Sequence, residues 1–504
     1  MTRSLPFPHP FFSSRPQWKW FILCTVLVGA TMSALDVSIV NVVMPTLTTT
    51  FHTSMRVVEW IAMAYMLTLT IFLPLFGRLA DMFGRSKLYN LGFVVFTVGS
   101  AICGMSGSAL FMIVARVVQA VGAGLLQANS VALITQAFPA NERGRAIGIQ
   151  GAVQAVSMAI GPFVGGILIS SIGWRAVFYV NIPIGIFGTI AALLILPPNI
   201  RPKVREKVDY FGALFLATGL AFLVLAFNDG RELGWTSHVI LVYFAHAFVF
   251  LGLFVAREFR TPHPLIDLKL FRSYTFAVGN LTGMMSYYVL FAVLFLMPFY
   301  FERVLHYGVA LTGALLMPIP LAMAVVAPLS GYVSDKLGSR LMTSTGMFLS
   351  AGACGALVLL GTKSHLLTLI AELVLLGIGM GLFTPPNNSA IMGAAPKEKL
   401  GVAGGLLNMM RSLGLIFGVD ISGVVFTSAE HDYLHRKGYW HIHHVFSGNN
   451  IQLVTRYKAF MHGFVLVMVV LALMNAAAAG LSAARADVAY DEAAAAAARQ
   501  LEGG

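Results

Sequence analysis

The chain has 504 residues, 58% of them hydrophobic and 11% charged, with 33 Lys and Arg against 21 Asp and Glu for a net charge of +12. A soluble domain carries about a quarter charged residues, so this composition excludes a soluble globular domain, nucleic-acid binding and disorder as the main theme. Apolar runs of about 20 residues, the length an α-helix needs to cross a bilayer, recur along the whole sequence, and the fold class they imply is an all-α integral membrane protein.

Residues 1–17 are rich in Pro, Phe and Ser. The first apolar run is too long for a cleaved signal peptide and reads as a retained first span. Spans are predicted at 19–45, 57–77, 87–106, 109–138, 144–170, 174–197, 208–228, 237–257, 273–301, 308–333, 340–361, 366–388, 401–427 and 460–484, fourteen in all. The tail from Arg485 is Ala-rich with scattered charges. Cys24, Cys103 and Cys354 fall inside apolar runs, so neither a disulfide framework nor a thiolate metal site is implied.

The loops give the expected orientation. One set carries Arg78, Arg85, Lys87, Arg143, Arg145, Arg201, Lys203, Arg205, Lys207, Arg257, Arg260, Lys269, Arg272, Lys336, Arg340, Lys397 and Lys399. The alternate set carries mostly single cations, Arg56, Arg175, Arg231, Arg303 and Lys363, apart from a long outer loop at about 428–458. Lys and Arg concentrate on the cytoplasmic side, so both termini are expected there. The basic charge is thus a topology signal rather than a nucleic-acid footprint.

Between spans two and three lies Gly77-Arg78-Leu79-Ala80-Asp81-Met82-Phe83-Gly84-Arg85-Ser86-Lys87, and a weaker copy stands at Gly331-Tyr332-Val333-Ser334-Asp335-Lys336-Leu337-Gly338-Ser339-Arg340. Gly, Asp and Gly keep one spacing in both, each on the same side of a span. This is an internal repeat, with six spans (19–197), two inserted spans with their linkers (198–272), six spans (273–484), and terminal segments at 1–18 and 485–504. Internal repeats with a site between them at mid-depth are the transporter pattern.

Physical reasons attach to each motif. Gly77 and Gly84 permit close helix approach and a tight turn. Asp81 suits the exposed N–H groups of a neighbouring helix N-terminus, with Arg78 and Arg85 to hold it there or to meet lipid phosphates. A solvated turn fits the same residues. Pro162 after Gly161 removes a hydrogen bond from span five, and Gly165 and Gly166 leave a smooth face, either for bending or for packing.

The 77–87 stretch resembles the signature loop of the major facilitator superfamily. Four more stretches resemble motifs of its fourteen-span drug:proton antiporters: Leu35-Asp36 through Pro45; Arg116-Val117-Val118-Gln119, with Ala120 where Gly is expected; Gly148 through Ser157 to Gly161-Pro162-Phe163-Val164-Gly165-Gly166, with Ser157 in a glycine position; and Gly173-Trp174-Arg175 through Asn181 to Gly185. The N-terminal half matches closely and the second half more loosely, through 331–340 and Pro385 to Gly405. The resemblance implies two six-helix bundles plus two additional helices, a conformational latch at Gly77, Arg78, Asp81, Gly84, Arg85 and Asp335, and a bending element in span five that seals against proton leak. It also implies a multi-pass protein of the cell inner membrane.

Ionisable residues at membrane depth are costly unless paired or functional. At about 1.5 Å per residue, Asp36 lies about 14 Å and Arg116 about 10 Å below the outer ends of their spans. They can meet, with Gln119 one turn from Arg116 on the same face. A carboxylate that gains and loses a cationic partner binds and releases a proton; a permanent structural ion pair uses the same residues. Asp420 and Glu372 are second candidates for proton coupling, and Arg411 stands in the same span as Asp420. Tyr65 and Met66 in span two, with Gln119, Met284, Tyr287, Tyr288 and Arg411, are the expected substrate-binding set, since Met adapts its shape and aromatic faces bind organic cations.

His431, His435, His441, His443 and His444 fit no standard metal spacing and read as a solvated outer loop. No phosphate loop or soluble catalytic domain is present in the sequence, so an enzyme is not expected and energy must come from an ion gradient. The expectation is a cofactor-free proton-coupled exporter of lipophilic, cationic compounds. Its partners would be the small-molecule substrate, protons and membrane lipids; the need for a periplasmic adaptor stays open. A lipid or endogenous-metabolite exporter on the same fold is the alternative.

Overall fold

The computed structural model describes residues 15, 17–197, 209–262, 264–361, 364–437 and 453–485. The terminal segments, the basic linker residues Arg201, Lys203, Arg205 and Lys207, and His441, His443 and His444 lie outside the described residues. Sixteen α-helices are described: α1 (Trp18–Thr50), α2 (Met55–Phe83), α3 (Arg85–Gly104), α4 (Ala109–Ala137), α5 (Ala140–Ser171), α6 (Ala176–Tyr179), α7 (Asn181–Ile195), α8 (Tyr210–Leu233), α9 (His238–Glu258), α10 (Tyr274–Arg303), α11 (Val309–Leu316), α12 (Pro318–Leu337), α13 (Ser339–Leu357), α14 (Leu366–Gly393), α15 (Leu400–Arg436) and α16 (Leu453–Ala483). Helices are the expected answer in hydrocarbon, because each backbone N–H and C=O must be satisfied within its own segment.

Two pairs, α6 with α7 and α11 with α12, are single spans broken at Val180 and Met317, so the helices form fourteen rows. Thirteen of these, among the described residues, are long and apolar enough to cross a membrane. The expected span at 340–361 is present as α13, but its Ser, Thr and Gly content keeps it below that mark. It is held by packing between α14 and α16.

Three boundaries differ from expectation. Residues 77–83 are not a loop: α2 runs to Phe83, turns on the single residue Gly84 at φ 102°, and α3 starts at Arg85. The copy does the same, with α12 running to Leu337 and Gly338 at φ 85°. Only glycine takes such a φ without strain, so both repeats end in an obligate glycine turn. The expected outer loop at 428–458 is also shorter. Helix α15 continues to Arg436, its extension anchored by buried Ala429 and Leu434, and α16 begins at Leu453.

The apolar core shows how the halves sit. On the side of the Gly84 and Gly338 turns, one cluster joins both halves, with Leu69, Leu73, Phe76 and Ala128 packed with Leu400, Val402, Leu406 and Leu413. Toward the other side the core splits. One cluster, including Ile39, Val43, Ile61 and Phe178, belongs to the first half alone, and another, including Leu296, Tyr300, Leu373 and Phe464, to the second. The molecule is therefore sealed on the turn side and parted on the other.

The inserted pair, α8 and α9, packs together and rests through α8 on α2 and α15. Its base is polar: Asp209 caps Gly212 N at 3.0 Å and receives Arg257 Nε at 2.8 Å, and Glu258 accepts Leu265 N and Ile266 N at 3.2 and 2.9 Å. The following 3₁₀ turn (Leu268–Arg272) is strapped to the second half by an ion pair between Asp267 and Lys399. Partial burial pushes the Asp267 carboxyl up, but the Lys399 hydrogen bond, the Lys269 amide and the charges of both lysines outweigh it and hold it below the ordinary carboxylate range.

Two predictions follow from packing and charge. An added Cβ at Gly99 would lie 2.6 Å from Gln119 Cα, whereas one at Gly166 meets nothing within 4 Å. Gly99→Val should cost about 1–3 kcal/mol through overpacking and lower the melting temperature in detergent, while Gly166→Ala leaves it unchanged. Because the Asp267 pKa is depressed on folding, its contribution is present above the ordinary carboxylate value and is lost as pH falls through the lower folded value. Wild type should melt above Asp267→Asn at neutral pH, and the two curves should converge only below about pH 4.

Candidate functional site

Three features define the site: a buried charge cluster in the first half, a mid-depth cavity between the halves, and two seams that close the turn side.

The cluster is built on α1 and α4. Asp36 and Arg116 are 0% and 1% exposed, and Arg116 Nη1 donates to Asp36 Oδ2 at 2.6 Å. Asp36 Oδ1 accepts from Gln119 Nε2 at 2.9 Å and from Asn181 Nδ2 at 3.2 Å. Gln119 returns its carbonyl to Arg116 Nη1 at 2.6 Å and donates to Ser100 Oγ at 2.6 Å. Arg116 Nε reaches Ile61 O at 3.3 Å, and its guanidinium lies 4.1 Å from the Tyr65 ring centroid. Both carboxylate oxygens are therefore satisfied. This is required, since the desolvation of two charges exceeds their attraction unless further hydrogen bonds complete the site. Asn181 can reach the pair because α6 and α7 break at Val180, just before it. Gly99 lets α3 approach the Gln119 backbone, which brings Ser100 within reach.

The expected substrate set is divided between two places. Tyr65 and Gln119 are 0% exposed inside the charge cluster and do not line the cavity. Met66 and Met284 pack on the shared core, and Tyr288 accepts a hydrogen bond from Ser422 Oγ at 3.2 Å; these too are off the cavity wall. Tyr287 and Arg411 are on it, with the guanidinium 5.2 Å from the Tyr287 ring centroid.

The rest of the wall was not foreseen: Gln150 and Gln154 on α5, and Thr384 and Asn388 on α14, beside apolar residues such as Val131 and Met323. Their signal in the sequence is a polar side chain inside an apolar run, which by itself does not separate a cavity wall from a helix contact. The free space is about 20 Å³, room for a water molecule, so a larger solute requires the halves to move. Of the second acidic pair, Glu372 is 8% exposed with Oε2 lacking a hydrogen-bond partner, and Asp420 is half-buried on α15. Neither lines the cavity.

The seams repeat one device. Asp81 on α2 accepts from Gly401 N at 2.8 Å and Val402 N at 2.9 Å, in the first turn of α15. Asp335 on α12 accepts from Gly144 N at 2.8 Å and Arg145 N at 2.9 Å, near the start of α5. Each carboxylate thus sits on the positive end of a helix from the other half. Glycines permit the contact: a Cβ on Gly77 or Gly401 would strike the partner's carbonyl, as would one on Gly331 or Gly144. One turn along, Gly405 meets Leu73 O and Gly148 meets Ala327 O in the same way.

Gly148 thus packs at the seam. Helix α5 continues unbroken through Pro162, with Gly161 and Gly165 packed against Ser38 and Ile39 of α1. The seams differ in the groups that flank the carboxylate. Arg85 donates to Asp81 Oδ1 at 2.8 Å and to Lys397 O at 2.8 Å, whereas Ser339 stands at the corresponding place beyond Asp335. Arg78 is buried within electrostatic reach of Glu258 at the base of the inserted pair.

Comparison with known proteins agrees with this layout. Residues 26–419 match the sequence pattern of the Major Facilitator Superfamily. Curated relatives include the riboflavin transporter RibZ of Clostridioides difficile, 37% identical over 79% of this chain and 86% of that protein. They also include the multidrug resistance protein Stp of Mycobacterium tuberculosis, 32% identical over 79% of this chain and 74% of its own. The tetracenomycin C resistance and export protein of Streptomyces glaucescens is 32% identical over 81% of this chain and 76% of its own. Among solved structures, the human organic anion transporter MFSD10 superposes with a TM-score of 0.64 at 14% identity, over 92% of this chain and all of that one.

If the seams hold the turn side shut, removing both carboxylates should release it. Hydrogen bonds to charged groups contribute about 1.5–3 kcal/mol each. In Asp81→Asn/Asp335→Asn, spin labels at the exposed positions Lys87 and Glu398 should therefore gain a longer-distance population at least tenfold over wild type. An unchanged distance distribution would show that the seams are held by packing alone.

Proposed function

Because the chain belongs to the Major Facilitator Superfamily, we propose that this transporter is a proton-coupled exporter of small organic molecules, working by alternating access. The carrying observation is the Asp36–Arg116 pair, an ionised pair at membrane depth enclosed by Gln119, Asn181, Ser100 and Tyr65. A charge in hydrocarbon is tolerated only while its partner stays in place. Any rearrangement of α1 against α4 that draws Arg116 away leaves the Asp36 carboxylate without its counter-charge, a place that a proton can take. Restoring the pair expels the proton.

The cavity lies between the halves and is walled in the first half by α4 and α5, so the motion that exposes it to one side or the other moves α4, which carries Arg116. Closure of the turn side by the two seams gives one end state. The excess of Lys and Arg in the turn-side loops supports placing that side in the cytoplasm, so the sealed form faces outward. The names of the Mycobacterium and Streptomyces relatives support export of toxic compounds in a bacterial inner membrane. The riboflavin transporter favours a second reading, export of an endogenous metabolite on the same machinery. In both, the proton gradient supplies the energy and no resident cofactor is needed.

Proteoliposomes separate coupling from translocation. Asp36→Asn should lose at least tenfold of the transport driven by an imposed pH gradient. It should retain solute exchange at equal pH on both sides, because exchange needs the rocking but not the proton. Full gradient-driven transport by Asp36→Asn would overturn the coupling role.

A further inference from the structure

We infer that the mid-membrane cavity is a receptor for planar aromatic anions and that it disfavours the lipophilic cations expected from the sequence. This deepens the transport reading above and rests on its movement of the halves, which opens room for a solute larger than water, though not on its proton coupling.

The inference starts from charge. Among the residues lining the cavity, Arg411 is the one with a formal charge, and no carboxylate stands on the wall. The partners of the guanidinium are neutral: Asn408 Oδ1, 3.4 Å from Nη1, and the Tyr287 ring. Arg411 lies eleven residues into α15 and Tyr287 thirteen into α10. At about 1.5 Å per residue these depths are about 16 and 20 Å from the turn side, in the middle of a hydrocarbon layer about 30 Å thick. A cation held there by neutral groups alone is under-compensated, and a bound anion completes it. A second cation would add repulsion in a medium that screens poorly.

The polar wall points the same way. Gln150 is 3% exposed and its Oε1 has no hydrogen-bond partner; Thr384 is 7% exposed and its Oγ1 has none. Both line the cavity. Buried polar atoms without partners are costly, and these two border free space, where a ligand can supply the missing bonds. Gln150 Oε1 calls for a donor on the ligand, and Thr384 Oγ1 can serve either role. The Tyr287 ring beside the guanidinium adds a flat face on which an aromatic ring can stack, and the planar fork of Arg411 matches a carboxylate or sulfonate edge. The solute defined by these groups is flat and aromatic, with an anionic edge and a hydrogen-bond donor away from it. The glycines at the seams, by contrast, are filled by the opposite helix and offer no competing site.

Binding to the purified protein in detergent tests this directly. Fluorescence anisotropy of lucifer yellow, a planar aromatic sulfonate, should saturate with wild type, and Arg411→Gln should weaken it at least tenfold. Arg411→Lys should lie between them, because it keeps the charge and loses the fork. Gln150→Leu, which leaves the charge in place, should weaken binding about threefold and stands in for Arg411→Gln if that variant does not fold. Ethidium, a planar aromatic cation, should neither saturate nor displace lucifer yellow.

Saturable ethidium binding that competes with lucifer yellow would overturn the inference. So would lucifer yellow binding untouched by Arg411→Gln in a protein of unchanged melting temperature, or no lucifer yellow binding by folded wild type. The transport reading fails separately. Bound lucifer yellow that no pH gradient moves across proteoliposomes would sink proton coupling and leave the receptor standing; gradient-driven ethidium transport without lucifer yellow transport would do the reverse.

Discussion

A polar group inside a bilayer has no solvent to fall back on, so it is satisfied by its own protein or it carries a cost of several kcal/mol. That constraint sorts the buried polar residues of this chain into two kinds. For the two charges of the Asp36 cluster the accounting is complete: both carboxylate oxygens are occupied, and Arg116 is held by a carboxylate, an amide, a backbone carbonyl and an aromatic face, while the neutral Tyr65 Oη and Asn181 Oδ1 beside them have no partner. Around the cavity it is incomplete, with Gln150 Oε1 and Thr384 Oγ1 left without partners. A closed network suits a group whose charge state matters, because breaking one bond raises the energy of the rest. An open one suits a place where something else is meant to bind. Both kinds lie near mid-depth, but only the second borders empty space.

The seams follow from a different economy. Helix macrodipoles and first-turn N–H groups are fixed by the fold, and a carboxylate four residues past a glycine is enough to use them. Gly77 with Asp81, and Gly331 with Asp335, are the same solution placed once in each half. The glycine removes the Cβ that would hold the helices apart, and the carboxylate then falls on the amides beneath. Such a contact makes or breaks as a unit: once the backbones separate by an ångström or two, both hydrogen bonds go together. Two seams of this kind give a closed state that is favoured but not locked.

Much of this was legible in the sequence, and the reasons are local. Apolar run length gave the helical rows, since nothing else spans hydrocarbon, and the Gly–Asp–Gly repeat located both seams. The depth estimate brought Asp36 to Arg116, and Gln119 followed from its one-turn spacing. What could not be read depends on rotation of helices about their axes. Tyr65 was expected at the substrate because it is aromatic with a polar edge, but its ring faces the Arg116 guanidinium. Asn181 belongs to the charge cluster only because its span breaks one residue earlier, and no periodicity argument finds such a break. Gln150 and Gln154 sit four residues apart on one face of α5, yet the sequence does not say whether that face meets α1, α12 or open space.

The inserted helices bear on the seams unequally. Helix α8 rests on α2 and α15, the two helices that meet at Asp81, and Arg78 and Glu258 place a charged pair of elements at its foot. The Asp267–Lys399 pair straps the linker just before α15 begins, close to where Asp81 takes its hydrogen bonds. Arg85 adds a bridge across the same seam to Lys397 O. Among the described residues, the inserted pair packs on α2 and α15 rather than on α5 and α12. The carboxylate of the α5–α12 seam also meets amides one turn inside the helix, where the N–H groups already serve the helical ladder. Gln150 and Gln154 lie on α5 just beyond that seam, so the cavity wall that offers hydrogen bonds to a solute is carried by a helix that also closes the turn side.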